Sequence, residues 1–224
     1  MPEVEPDLWA GSGEEGAGFI MVETLRFTRR NLPHWIVADR TYFVTIRLAG
    51  SLPKQVIVDM RAELTALRES IHSDAAIREA QRRQFVKLEQ ILDTCDSNRA
   101  WLIRPDVAEN LIANLDWLEQ AEQGWDVYAA VVMSNHMHLL MRNRAGKTAS
   151  LQKDLACYKS YTARQANRIL DRSGAFWARE DFDHWCRTPE KVKGAVAYIQ
   201  QNPVKVGLCR EWTDWPWTRI KEGW

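Results

Sequence analysis

The stretch that most limits what this chain can become runs from Val131 to Arg142: Val-Val-Met-Ser-Asn-His-Met-His-Leu-Leu-Met-Arg. Short apolar runs lie on both sides of Ser134-Asn135. They predict two extended strands, Asp126–Met133 and Met137–Arg142, folded back on each other as a hairpin. Side chains alternate faces along a strand, so His136 and His138 share a face, about 7 Å apart along the chain. Two neutral imidazoles so placed form one edge of a divalent-metal site. Taken alone, the pair also fits a half-exposed strand that holds nothing.

The flanking sequence supplies further elements. Thr41–Leu48 is β-branched and aromatic and reads as a strand, stopped by Gly50-Ser51-Leu52-Pro53. Residues 54–70 and 76–94 carry helical patterns. The second is strongly charged (Arg78, Glu79, Arg82, Arg83, Lys87, Glu89), the mark of a solvated face. Residues 105–122 read as a helix opened by Pro105 with Leu111, Ile112, Leu115 and Leu118 as its stripe. A long helix is expected over 147–171, with Leu151, Leu155, Tyr158, Thr162, Ala166 and Ile169 facing the core. Phe182–Arg187 is a short strand, and Thr188-Pro189-Glu190 opens a last helix that Pro203 and Gly207 end. Helices and strands alternate, but the hairpin makes the sheet antiparallel, so the class is α+β.

Composition narrows the setting. Lys+Arg and Asp+Glu are both 30, so a chain basic all over is excluded while a local basic face is not. Such a face is in view: Arg142 to Arg172 carries eight basic residues against Asp154 and Asp171, an excess that favours phosphate contact. Cys95, Cys157, Cys186 and Cys209 are widely spaced, as expected of reduced thiols in a cytoplasmic protein. No apolar run approaches the roughly 18 residues of a membrane span. Residues 1–28 are expected to form a flexible acidic tail, rich in glycine and glutamate, ahead of one domain over 29–224.

The last predicted helix carries side chains that would complete the chemistry begun in the hairpin. Its core stripe is Val192, Ala195, Val196 and Ile199; Tyr198 and Asn202, four residues apart, form a polar column on its flank. If that helix covers the sheet face bearing the histidines, two imidazoles, an amide oxygen and a phenol converge. The set suits Mg²⁺ or Mn²⁺. Asn before proline at a helix end, and an amphipathic tyrosine at a core edge, are equally explained without chemistry.

Three segments together resemble the HUH single-tyrosine transposases, specifically the REP-associated tyrosine transposase branch. They are Leu32–Trp35 with Thr41–Thr45, then Val131–Leu140 with its His-Met-His centre, then Ala197–Leu208. Lys159-Ser160-Tyr161 and Trp215-Pro216-Trp217 add to the likeness, which spans about residues 29–220. Ser134 stands where the family commonly has proline. Residues of about 71–100 look like a helical insertion relative to the smallest members.

The resemblance implies a ferredoxin-like α+β domain, with His136 and His138 as the metal-binding pair, Asn202 as third ligand and Tyr198 as nucleophile. It implies transesterification on single-stranded DNA at hairpin-forming repeats, through a 5′-phosphotyrosine link and a free 3′-hydroxyl, with Mg²⁺ or Mn²⁺. Lys159, Tyr161, Arg164, Arg168 and Arg142 are the expected DNA contacts, and Tyr161 is the rival nucleophile. A monomer is favoured over a dimer, and a nucleoid-associated cytoplasmic protein is expected, with no membrane partner. Two other readings stay open: a domesticated DNA-binding protein without turnover, and a metallohydrolase that uses the H-x-H pair. His184 is more readily a packing residue than a group supporting the metal ligands or touching DNA, and Trp212, Trp215, Trp217 and Trp224 more readily seal a core edge than bind DNA.

Overall fold

A computed structural model describes residues 24–29, 33–37, 40–70, 74–94, 100–120, 122–144 and 150–224. Its centre is a five-stranded antiparallel sheet in the order β6-β3-β5-β4-β7. The strands are β3 (Thr41–Arg47), β4 (Trp125–Val132), β5 (His136–Asn143), β6 (Phe182–Cys186) and β7 (Thr218–Ile220). Between them lie α1 (Lys54–Ser70), α2 (Asp74–Asp93), α3 (Pro105–Ala113), α4 (Leu115–Leu118), α5 (Leu151–Ile169) and α6 (Pro189–Lys205). The first four strands of the sheet in chain order, β3, β4, β5 and β6, are arranged fourth-first-third-second with helices in both crossovers. That is the expected ferredoxin-like α+β arrangement, to which β7 adds an edge.

The pleat divides the sheet into two chemically different faces. On the first, Tyr42, Val44 and Ile46 of β3 join Met137, Leu139 and Met141 of β5 in one core with Leu111 of α3 and Leu155 and Tyr158 of α5. On the second, Phe43 of β3, Val131 of β4 and Leu140 of β5 pack with Val192, Val196 and Ile199 of α6 and with Phe85 of α2. The stripe expected on α5 is buried or half-buried throughout, and the Tyr158 hydroxyl donates to the Leu111 carbonyl at 2.8 Å. The hairpin of α1 and α2 has a smaller core of its own, built on Leu52, Met60, Leu88 and Leu92.

The structure corrects several element boundaries. The helix expected over 105–122 breaks at Asn114, whose amide nitrogen donates to the Asn110 carbonyl at 2.7 Å and competes there with the helical ladder. The last helix does not stop at Asn202 but runs through Pro203 to Lys205. A proline in the final turn forfeits one hydrogen bond only, and the helix closes beyond it: Leu208 N–H donates to the Pro203 carbonyl at 2.9 Å and Gly207 N–H to Val204 at 3.0 Å. Gly207 takes the left-handed conformation that this closure needs (φ +74°). Thr24–Arg29 (β1), which falls mostly within the expected acidic tail, pairs with Pro33–Val37 (β2) as a separate antiparallel ribbon. The rest of that tail, residues 1–23, and the expected start of the long helix at 147–149 lie outside the described residues. Among the described residues no helix is long and apolar enough to cross a membrane.

His184 lies on β6 opposite Phe43, on the second face. Burial, with the charges of Lys191 and Arg187, pushes its imidazole down to about 3 from an ordinary 6.5. Below pH 6.5 the unfolded chain therefore takes up a proton that the folded chain refuses until about pH 3. Stability should drop as pH is lowered through that window, by up to about 1.4 kcal/mol per pH unit from this ring. Urea denaturation at several pH values should show that slope reduced in His184→Phe; an unchanged slope would refute the assignment.

Candidate metal centre and its tyrosine

The pleat of β5 sends His136 and His138 to the second face, and antiparallel register sets Thr45 of β3 beside His138 and Arg47 beside His136. The two Nε2 atoms are 3.1 Å apart. Each ring is held from behind: His138 Nδ1 meets the Thr45 hydroxyl at 3.0 Å, and His136 Nδ1 meets Asn135 Oδ1 at 2.7 Å. Both rings are thus turned so that Nε2 faces its counterpart.

From above, α6 brings Asn202, whose amide nitrogen lies 3.1 Å from His138 Nε2. Tyr198, one turn earlier, packs edge-on against the rings of Phe43 (5.7 Å) and His138 (5.5 Å). The expected polar column is therefore present, and it lies over the histidines.

Glu89 is the site residue that sequence reasoning misses. Read as part of a solvated face, it is instead 3% exposed, on α2, with Oε2 at 3.1 Å from His138 Nε2 and at 2.5 Å from the Tyr198 hydroxyl that donates to it. Glu89, His136 and His138 bring ligand atoms to within 4.8 Å of one another. A signal exists in the sequence: Phe85, Leu88, Glu89 and Leu92 keep the i, i+3, i+4, i+7 spacing of one buried face, so the carboxylate interrupts an apolar stripe. A charge in such a stripe needs a partner.

The electrostatics follow from burial. Burial alone would raise the Glu89 carboxyl, but the electrostatic attraction of His138 and its hydrogen bond outweigh it and hold the group at about 2. Burial, helped by repulsion from His138, pushes His136 down to about 3. Tyr198 is pushed well above the usual phenol value, first by burial and then by the Glu89 carboxylate.

The donor set fits a divalent ion. Two buried oxygens beside the imidazoles, Glu89 Oε1 and Asn202 Oδ1, have no hydrogen-bond partner, and such atoms are costly unless something engages them. Two imidazole nitrogens, a carboxylate and an amide oxygen make a mixed set suited to Mg²⁺ or Mn²⁺.

The expected DNA contacts are placed elsewhere. Arg142 is exposed on the second face, but at the far end of β5 from His136. Lys159, Tyr161, Arg164 and Arg168 lie on α5, which covers the first face. The Lys159 ammonium is engaged by Asp181 at 2.6 Å and by the Ala178 carbonyl at 2.9 Å. Tyr161 is 44% exposed, with the Arg164 guanidinium 6.0 Å from its ring, and Arg168 lies further along the same helix. Tyr161 is thus on the other side of the sheet from the histidines. Of the late tryptophans, Trp215 donates to the Val132 carbonyl at 2.9 Å, while Trp224 is exposed and stacks on Tyr128.

No family model matches the sequence. The chain is similar to a Haemophilus influenzae protein described as a REP-associated tyrosine transposase, 28% identical over 102 residues. That match covers 42% of this chain and 58% of the relative, so the chain spans less than two thirds of the relative's length. A solved structure of a REP-associated tyrosine transposase bound to a REP hairpin superposes with a TM-score of 0.48 at 16% identity, over 85% of this chain and 80% of that one. The likeness drawn from the three motifs and the similarity to the Haemophilus protein thus point to the same family.

Titration with Mn²⁺ followed by calorimetry should give one site. Glu89→Gln should weaken it by at least the roughly 10- to 100-fold that losing a partner behind a metal ligand costs, and His138→Ala should abolish it. Equal affinity in all three proteins would rule out this centre.

Proposed function

We propose that the protein cleaves and rejoins single-stranded DNA by transesterification at hairpin-forming repeats. Tyr198 is the nucleophile, and His136, His138, Glu89 and Asn202 hold Mg²⁺ or Mn²⁺. The observation that carries this reading is the convergence on one carboxylate of the late-helix phenol and the His138 imidazole, together with the motif likeness. A metallohydrolase would take its nucleophile from water and would not need a nucleophilic phenol at that point.

The reaction conserves the number of phosphoester bonds. The Tyr198 phenolic oxygen bonds to a backbone phosphorus, the bond from phosphorus to the 3′ oxygen breaks, and that oxygen leaves as a hydroxyl after taking a proton. The 5′-phosphate stays on Tyr198, and reversal rejoins the strands without a nucleotide cofactor. When bound, a divalent ion would offset the charge that builds on the scissile phosphate and the leaving oxygen. Glu89 Oε2, already the acceptor of the phenolic hydrogen bond, is the nearest group to take the Tyr198 proton. In the closed arrangement it instead keeps the phenol protonated, since its charge raises the tyrosine.

The site is closed. Glu89, His136, His138, Tyr198 and Asn202 are each no more than 6% exposed. For a phosphodiester to reach Tyr198, the cover over the second face has to shift; α2 is part of that cover and carries Glu89, so the shift has to leave Glu89 within reach of the histidines. DNA outside the site would be held by Arg164, Arg168 and exposed Arg142 and by stacking on Tyr161, with Lys159 bracing the segment around Asp181.

Incubated with Mn²⁺ and single-stranded palindromic oligonucleotides, the protein should form a covalent adduct stable in denaturing gels. Tyr198→Phe should abolish the adduct and leave oligonucleotide affinity largely unchanged; an adduct that persists would transfer the role to Tyr161. Replacing Arg164 and Arg168 by Ala should reduce the slope of log K against log salt by about 0.7 to 0.9 for each phosphate no longer neutralised. An unaltered slope would remove α5 from the DNA path.

A further inference from the structure

We propose that Asn135 is a positioning residue that fixes the tautomer of His136 and ties that ring to α2, so that cation binding and closure of the helical cover are coupled. This rests on the metal-centre reading above and adds to it a link between the ligand set and the element that covers it.

Asn135 sits in the turn between β4 and β5 and is 1% exposed. Its carboxamide bonds in two directions: Nδ2 donates to the Leu92 carbonyl at 3.0 Å, and Oδ1 lies 2.7 Å from His136 Nδ1. The first bond decides the second. A backbone carbonyl only accepts, so the nitrogen of the amide must face Leu92 and its oxygen must face the imidazole. An amide oxygen only accepts as well, so His136 Nδ1 must carry the hydrogen. In the neutral imidazole the one remaining lone pair is then on Nε2, which points at His138 Nε2. Metal-binding imidazoles are set in this way by an acceptor behind the ring.

The same amide reaches α2. Leu92 lies three residues after Glu89, fully buried in the small core of the α1–α2 hairpin. Lifting α2 removes the carbonyl that orients Asn135, frees the amide to turn over, and with it the preference for the Nδ1–H tautomer. Conversely, drawing His136 Nε2 to a cation favours the orientation in which Asn135 holds Leu92. Coupling of this kind is reciprocal. Leu102 N–H donates to the Ser134 carbonyl at 3.3 Å and Leu48 N–H to the Asn135 carbonyl at 2.8 Å, so the backbone of the turn is held whatever its side chain does.

Two variants separate the two bonds. Asn135→Ala removes both; Asn135→Asp keeps an acceptor behind His136 and loses the donor to Leu92. Mn²⁺ affinity by calorimetry and amide hydrogen exchange over residues 85–93, with and without Mn²⁺, are measured for both beside the wild type and His138→Ala. We expect Asn135→Ala to lower affinity about 10- to 100-fold. Asn135→Asp should bind clearly more tightly than Asn135→Ala, while both raise exchange in α2 and shrink the protection that Mn²⁺ confers there. Equal affinity in the two variants, or wild-type affinity in Asn135→Ala beside lost binding in His138→Ala, would overturn the role of Asn135 alone. Wild-type binding in His138→Ala would overturn the metal centre itself, and this proposal with it.

Discussion

Everything on the second face of the sheet turns on one buried charge. A carboxylate removed from water costs several kcal/mol unless it is paired and hydrogen-bonded. Glu89 is held ionised between His138 Nε2 and the Tyr198 hydroxyl. The balancing interaction comes from the imidazole pair, or from a cation held there. Docking of α2 and occupancy by a metal are therefore two readings of a single balance. Whatever supplies that interaction also holds the helix down.

The same balance explains why the phenol is quiet in this arrangement. Tyr198 donates to an anion in a buried setting, and both facts favour the neutral phenol over the phenolate. Once a cation neutralises the charge of Glu89, the repulsion that raises Tyr198 is reduced. The cover has a small core of Leu52, Met60, Leu88 and Leu92, against which Phe182 of β6 also packs. Its ties to the domain include the Glu89 contacts, the Asn135 bond to Leu92, the ring of Phe85 against Phe43, and an ion pair from Asp93 to Lys205 at 2.9 Å. That ion pair ends on α6, the helix that carries the tyrosine.

Local pattern makes much of this legible, and its limits are equally local. Alternation along β5 is enough to put His136 and His138 together, and i, i+4 spacing is enough to put Tyr198 and Asn202 on one flank of α6. Their meeting depends on which face α6 covers, a long-range matter that periodicity does not carry; there the motif likeness supplies what pattern cannot. Glu89 escapes notice because a helix with many charges reads as one solvated surface, although the positions of Phe85, Leu88 and Leu92 mark the buried side. Pro203 reads as a stop, yet the Gly207 closure two residues past the helix end is the stronger signal. Strand β7, three residues long, owes its place to β4 rather than to its own sequence.

Under the proposed reading, the placement of α5 bears on how DNA would meet the site. Its basic and aromatic residues lie on the first face and the histidines on the second, which at first separates phosphate binding from chemistry. Yet Tyr158 of α5 has its hydroxyl 3.7 Å from Met137 Sδ, and Met137 is the residue between the two histidines. The basic helix therefore crosses behind the very strand segment that bears the imidazoles, with one sheet's thickness between them.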